Sequence, residues 1–387
     1  MAASSNKHFL IRLIENIVGN VYSYYDKQLT QELFPNTNST LNFNPTNLQE
    51  LILNKINLYR DPNLSLSTDV GLVFPPQRVP VPNPLLQAHS LSIPTIQDMS
   101  LLKPSLVNKT VQLLGSGSYG RVYGYTSPAP NGTDLVIKQI SKNRVPLNSI
   151  QNEIKILEYL RQYCSRSILC YMGVYEDPTN YYIVTEYLKD FTTLSSFQTP
   201  NLRGQTTIIR NLIDGLTMIQ QLGVCHRDIK PDNILIDPNT LNIKYIDFGF
   251  ACYMNQCSSS SPPGTYQFAA PELMLPAYAK SLEFADFQMS DVYSLGLTIY
   301  AFIVGETYYV AYYNIFVKPE LDLLRPDLAD KIRTDRSYVS LISLVLVRTV
   351  SLDPRPLALD FFRPDLINPH IPLLERMLNK NPLYRSF

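Results

Sequence analysis

Tryptophan is absent from the 387 residues, and so is any excess of charge of one sign: Lys+Arg and Asp+Glu both number 33. A formal charge of zero excludes a chain-wide pull toward nucleic acid or an anionic membrane, so no nucleic-acid partner is expected. The missing tryptophan excludes no fold, and nothing in the sequence accounts for it. The five cysteines, Cys164, Cys170, Cys225, Cys252 and Cys257, contain no Cys-x-x-Cys pair. An odd number without that spacing argues against a zinc site or a disulfide framework and for free thiols in a reducing compartment. A secretion signal is also missing, because Arg12 and Glu15 interrupt the apolar run at 9–22 and no small-residue cleavage site follows. The stretch from Ser294 to Val317 is long and apolar enough to cross a bilayer, but Gly305-Glu306-Thr307 divides it. A buried core helix is expected there, with no membrane span, and an intracellular, cytoplasmic location for the chain.

What is present is an ordinary globular balance, 45% apolar and 17% charged, with 29 prolines and 26 tyrosines. The length calls for two or three cores. Asn- and Tyr-rich usage points weakly to an AT-rich genome, that of a large DNA virus or a protist. Residues 1–60 read as a helical extension. Leu10, Leu13, Ile14, Ile17, Val18 and Val21 draw one apolar stripe, and a second helix begins at the capping box Thr46-x-x-Gln49, carries Leu48, Leu51, Ile52 and Ile56, and stops at Asp61-Pro62. The pair packs together or on the small lobe that follows it, or acts as a docking or autoregulatory element. Residues 61–108 read as a proline-rich linker, as in Phe74-Pro-Pro-Gln-Arg-Val-Pro-Val-Pro-Asn-Pro84, which favours extended chain.

The chemistry gathers at His226-Arg-Asp-Ile-Lys-Pro-Asp-Asn233, followed by Asp247-Phe248-Gly249. An Asp, a Lys and an Asn at i, i+2 and i+5 suit a loop that collects a proton acceptor, a cation and a metal ligand around one transferring phosphoryl group. Asp247 comes nineteen positions after Asp228, enough for a short strand pair to return a second metal ligand. Upstream, Gly115-Ser-Gly-Ser-Tyr-Gly120 joins two strand-like runs, Val111–Leu114 and Arg121–Thr126. This Gly-x-Gly-x-x-Gly therefore turns a hairpin, where glycines let backbone N–H groups approach phosphates. A third strand, Leu135-Val-Ile-Lys138, ends in a lysine, and a helix over Leu147–Arg161 sets Glu153 within its reach. Tyr181–Leu188 reads as a strand, and Thr206–Leu222 as a helix leading to the Asp228 loop.

These motifs in this order resemble eukaryotic-type protein kinases of the Ser/Thr-specific branch, from about Lys109 to Phe362. The resemblance implies an α+β, bilobal protein-kinase-like fold in a kinase domain over 109–387, with a small antiparallel β lobe (109–187) and a large, mainly helical lobe (188–387). It implies an ATP- and Mg2+-dependent enzyme acting on Ser and Thr hydroxyls of protein substrates. Asp228 would orient or accept the substrate proton, Lys230 would steady the γ-phosphate, and Asn233 and Asp247 would hold magnesium. Lys138, paired with Glu153, would grip the α- and β-phosphates. Leu114, Gly115, Ser116, Gly117, Ser118, Tyr119, Gly120, Arg121, Val122, Val136, Glu186, Leu188 and Leu235 would complete the nucleotide pocket, with Thr185 at its back and Glu186 to Leu188 offering backbone groups to adenine. His226 would pack under the site. Thr265, in Gly264-Thr-Tyr-Gln-Phe-Ala-Ala-Pro-Glu272, would contact Asp228 and Lys230. Ser258, Ser259, Ser260 and Ser261 are candidate autophosphorylation sites, within reach of Arg227. Asp291 would hold the catalytic loop's backbone, and Arg355 of Asp353-Pro-Arg-Pro356 would pair with Glu272, leaving the final segment uninformative. The alternatives are a pseudokinase-like scaffold that binds nucleotide and works through its extension, and a lipid or small-molecule kinase. The intact set of Lys138, Glu153, Asp228, Asn233 and Asp247 disfavours the scaffold, and the Ala-Pro-Glu segment disfavours the second.

Overall fold

The computed structural model describes residues 95–387 except 118–119, 130–131, 146, 165–166, 198–200, 254–255, 258–263, 275–283, 325, 335–345, 348–349, 351–356 and 361–362. The two expected N-terminal helices, most of the linker, Ser118, Tyr119, Ser258 to Ser261 and Arg355 lie outside the described residues.

The small lobe is one six-stranded sheet. Strands β1 (Gln97–Asp98), β2 (Thr110–Gly117), β3 (Gly120–Thr126), β4 (Leu135–Ser141), β5 (Tyr171–Glu176) and β6 (Asn180–Glu186) lie in the order β1-β5-β6-β4-β3-β2. All neighbours are antiparallel except β1 and β5. Helix α1 (Lys103–Leu106) lies between β1 and β2, and helix α2 (Leu147–Arg161), at the expected bounds, lies between β4 and β5. Helix α2 buries Ile150, Ile154, Ile156, Leu157 and Leu160, the 3.6-residue spacing that presents one face to a core. The last part of the segment read as a linker is built into this lobe. Asp98 caps a short turn by accepting the Ser100 N–H at 2.7 Å, which sets Met99 and Leu102 on one face, against Leu135, Ile137 and Val184. Apolar residues three apart behind a cap fold onto a sheet more readily than proline content alone suggests.

The large lobe is organised by two helices. Helix α3 (Leu202–Gln221) begins a turn earlier than periodicity suggests, because the Asn201 side chain accepts the Gly204 N–H at 3.1 Å. It is followed by the short strands β8 (Val224–Cys225), β9 (Ile234–Ile236), β10 (Ile243–Tyr245) and β11 (Cys252–Tyr253). Strand β7 (Thr192–Thr193) pairs with β9, β9 with β10, and β8 with β11. These pairs return the chain from Asp228 to Asp247. Helix α4 (Phe284–Val304) is predominantly apolar, and 89% of its Asp286–Val304 stretch is buried. That burial makes it the core helix expected at this point, and it ends at Gly305 with φ +90°, a conformation that costs glycine nothing. Helices α8 (Pro364–Ile367) and α9 (Ile371–Met377) complete this lobe.

Tyr308–Asp353 belongs to a separate compact unit. Its described part is helical: α5 (Tyr308–Tyr312), a π turn at Tyr313–Val317, α6 (Lys318–Leu324) and α7 (Pro326–Thr334). Arg333 ties α7 to α6 through Asp322 at 3.1 Å.

Four of the five cysteines are paired, contrary to the free thiols expected. Cys164 bonds Cys170 and Cys252 bonds Cys257, across Cα separations of 4.9 and 5.0 Å, while Cys225 is a buried thiol. Sequence separations of six and five positions leave each pair within disulfide range without any Cys-x-x-Cys spacing.

Candidate active site

Two polar clusters face the junction of the lobes. The first is centred on Lys138 of β4. Its Nζ donates to Glu153 Oε1 of α2 at 2.7 Å and to Asp247 Oδ1 at 2.8 Å. Burial works against the ammonium charge, but the two carboxylates outweigh it and raise the Lys138 pKa. Burial raises Glu153 despite the lysine. For Asp247 burial also opposes ionisation, but Lys138 wins and holds the carboxyl below its usual range.

The second cluster is centred on Asp228, which is buried. Its Oδ1 accepts the Thr265 N–H at 2.8 Å, and its Oδ2 accepts from Asn233 Nδ2 at 2.8 Å and lies 3.0 Å from Lys230 Nζ. Lys230 Nζ also donates to Thr265 Oγ1 at 2.8 Å. One carboxylate is thus fixed from three directions, one of them a cation. The expected contacts of Thr265 with Asp228 and Lys230 are both present. The Ile246 N–H donates to Asn233 O at 3.0 Å, which brings the residue before Asp247 onto Asn233 and joins the clusters.

Below them, Asp291 of α4 accepts the backbone N–H groups of His226 at 2.6 Å and Arg227 at 2.8 Å, the support expected of it. Burial pushes this carboxyl up to about 7, although both N–H groups favour its charge. His226 is wholly buried. Its Nδ1 accepts the Asp228 N–H at 3.3 Å, so Nε2 carries the proton and donates to Ile246 O at 3.0 Å. Phe248 packs on its ring, with centroids 4.9 Å apart. A ring engaged on both nitrogens and lowered in basicity by burial is a packing residue. Arg227 and Asp247 have φ of +65° and +61°, backbone strain that persists only because this network over-determines it.

The glycine-rich hairpin is β2 and β3, paired from Thr110 with Thr126 to Gly117 with Gly120. It carries Leu114, Gly115, Ser116, Gly117, Gly120, Arg121 and Val122; Ser118 and Tyr119 lie outside the described residues. Val122 is directly across the ladder from Lys138, and Val136 lies between Gly124 and Thr185. Glu186 differs from expectation in part. Its N–H is donated to Cys170 O at 3.0 Å and its carboxylate pairs with Lys244, so it has no backbone donor left for adenine. Leu188 accepts from the Phe191 N–H at 3.0 Å. Leu235 is in the middle of β9, opposite Thr193 and Lys244.

Among the described residues the partner of Glu272 is Arg385; Arg355, expected in that role, lies outside them. Arg385 takes both carboxylate oxygens, with Nη2 to Oε2 at 2.7 Å, and Ser290 Oγ donates to Oε1 at 2.7 Å. The signal in the sequence is Asn381-Pro-Leu-Tyr-Arg385, a proline-led turn with an arginine three residues on, in the segment read as uninformative.

Gly264 has φ +85°, and a Cβ there would sit 2.5 Å from Arg227 O and 2.9 Å from Asp228 Oδ1. Gly264→Ala is therefore expected to move the Thr265 N–H off Asp228. Displacement of about 1 Å at such a site costs about 10²-fold, so kcat/KM falls by that order while a thermal melt stays cooperative; unchanged kinetics would mean the Thr265 contact does not matter.

A β-sheet lobe, a helical lobe and a cation-carboxylate cluster facing a fixed aspartate define a two-lobed, phosphotransferase-type kinase fold. The protein kinase domain model matches residues 108–386, well over half of the sequence. The chain belongs to the protein kinase family. The match runs beyond Phe362, where the sequence motifs alone had placed its end. The chain is 30% identical over 243 residues to MAP3K epsilon protein kinase 1 of Brassica napus, covering 57% of this chain and 18% of that one. It is 28% identical over 261 residues to serine/threonine-protein kinase PSK2 of Saccharomyces cerevisiae (64% and 22%) and 27% identical over 254 residues to serine/threonine-protein kinase ppk6 of Schizosaccharomyces pombe (62% and 31%). The matched part thus spans under a third of each of these relatives. Use of ATP with a divalent metal is general to the family.

Proposed function

We propose that the chain is a serine/threonine protein kinase that transfers the γ-phosphoryl group of ATP to Ser and Thr hydroxyls of protein substrates, with magnesium as the metal. The observation that carries this reading is the Asp228 carboxylate held by Thr265, Asn233 and Lys230, facing a Lys138 held between Glu153 and Asp247. Asp228 orients the substrate hydroxyl and receives its proton. Lys230 steadies the γ-phosphate, and Lys138 binds the α- and β-phosphates. Val122 of β3 and Val136 of β4, with Leu114 and Leu235, enclose the base, and the Leu188 N–H donates to it. Asn233 spends its amide N–H on Asp228, which leaves the amide oxygen as a ligand atom, and Asp247 is kept ionised; two oxygen donors of this kind suit a hard cation. A magnesium ion held by them would offset the charge developing on the phosphoryl oxygens.

Lys230 and Thr265 favour Ser/Thr over Tyr acceptors, and the names of two yeast relatives, serine/threonine-protein kinases, support the same choice. An intracellular, cytoplasmic setting follows from the class. The test is incubation of the purified chain with γ-labelled ATP, magnesium and generic protein acceptors, with phospho-amino-acid analysis and mapping of Ser258 to Ser261. Phosphoserine and phosphothreonine in the acceptor are expected. Phosphotyrosine alone, or nucleotide binding without transfer, would overturn the reading.

A further inference from the structure

Three sulfur atoms meet where the catalytic loop touches the segment that follows Asp247-Phe248-Gly249. Cys225 closes β8 immediately before His226, and it lies directly opposite Cys252 of β11 in the antiparallel pair. Cys252 is in turn bonded to Cys257. The three Sγ atoms all lie within 4.8 Å of one another. Cys225 and Cys252 are buried with Leu273 and Phe287, and Cys257, half-buried, packs against that cluster. Nothing in phosphoryl transfer requires any of these sulfurs.

We propose that Cys252 and Cys257 form a thiol–disulfide modification site that controls the contacts of Asp247 with Lys138 and of Thr265 with Asp228, with Cys225 as a third thiol in exchange reach. The reagent class is a low-molecular-weight disulfide such as glutathione disulfide. The Cys257 thiolate, the most accessible of the three, attacks that disulfide and releases one reagent thiol. Cys252 then attacks the Cys257 sulfur, the protein disulfide forms and the second reagent thiol leaves. Two electrons pass to the reagent, and the two thiol protons go to the departing thiolates. No other oxidant enters. Internal exchange needs none either: Cys225 attacks Cys252, the Cys252–Cys257 bond breaks, and Cys257 leaves with the proton. Burial, with Asp291 alongside, keeps that proton on Cys225, and a protonated thiol is a poor nucleophile. The Cys252–Cys257 bond is therefore the resting linkage.

The linkage matters because of what lies on either side of it. Asp247 is five residues before Cys252, and Gly264 and Thr265 follow Cys257 by seven and eight. With the disulfide closed, Asp247 sits on Lys138 at 2.8 Å and Thr265 on Asp228 at 2.8 Å. The closed form is accordingly the more active one, a regulation that rests on the phosphotransfer reading above.

The experiment equilibrates the full chain in glutathione buffers of graded ratio, maps disulfides by mass spectrometry after alkylation, and measures in the same samples phosphoryl transfer and protease cleavage within 254–274. The expected result is a reversible Cys252–Cys257 linkage that protects the segment and raises kcat/KM about 5- to 150-fold, the usual range of intramolecular coupling. Cys257→Ser should stay at the reduced level at every ratio, which separates this pair from Cys164–Cys170. Absence of the linkage at all ratios, or equal cleavage and activity in Cys257→Ser and the unaltered chain, would overturn the proposal. So would stoichiometric zinc binding by the reduced chain that is lost in Cys225→Ala, since the three sulfurs would then be a metal site. If no sample transfers phosphate, linkage-dependent protection still decides the proposal, and only the kinase reading falls.

Discussion

Asp228→Asn is expected to lower kcat by about 10²- to 10⁴-fold, the usual worth of a positioned base, with little change in the KM for ATP. The substituted amide keeps an oxygen for the Thr265 N–H but turns an NH2 toward Asn233 Nδ2 and Lys230 Nζ, both of which now donate to or pair with Oδ2. Donor then faces donor, and the proton acceptor is lost. Lys138→Met acts differently. It leaves Glu153 buried without its cation and releases Asp247 from its 2.8 Å contact, so nucleotide affinity and turnover both collapse. Asp247→Ala removes the oxygen proposed as a metal ligand and the same contact, and is likewise expected to abolish transfer. Steady-state kinetics with varied ATP separates these patterns. Near-normal turnover in all three variants would remove the site assignment altogether.

The part of this site that was legible in the sequence is the part built from local chain. Asp228, Lys230 and Asn233 lie on one loop, and Lys138 and Glu153 lie on a strand and the helix that follows it, so motif and periodicity place them. Thr265 follows from the turn it occupies. The tight bounds of α2 also came from periodicity, because its stripe runs unbroken to Arg161. What the sequence concealed depends on contacts between distant segments. Met99 and Leu102 belong to the small lobe only because Leu135 and Val184 present a surface to them, and a stretch following so many prolines carries no periodic signal long enough to show it. The Glu186 N–H is taken by Cys170, sixteen residues earlier, and an orientation of that kind is invisible to a pattern. The cysteine pairs are hidden for a related reason: Cys164–Cys170 and Cys252–Cys257 join across six and five positions, and no Cys-x-x-Cys spacing announces such pairs.

Arg385→Met is expected to destabilise the large lobe by about 3–5 kcal/mol, the cost of leaving a buried charge without its partner. Glu272 and Arg385 have 3% and 0% side-chain exposure, so water cannot take the place of the lost guanidinium. The arginine does more than pair. Its Nε donates to Asn379 O at 2.7 Å and its Nη1 to Met289 O at 3.0 Å, and the guanidinium lies 4.8 Å from the Tyr293 ring. It thereby fastens the chain's last turn to α4 and to the segment that carries Thr265. Glu272→Gln alone should cost less, because Arg385 keeps three carbonyl acceptors, those of Asn379, Met289 and Lys380, and the ring. The double variant, Glu272→Gln with Arg385→Met, should recover part of the loss of Arg385→Met, since no buried charge then remains uncompensated. Urea denaturation of the four proteins closes the cycle. If the three altered proteins lost stability additively, the ion pair would be incidental, and Arg355 would return as the candidate partner of Glu272.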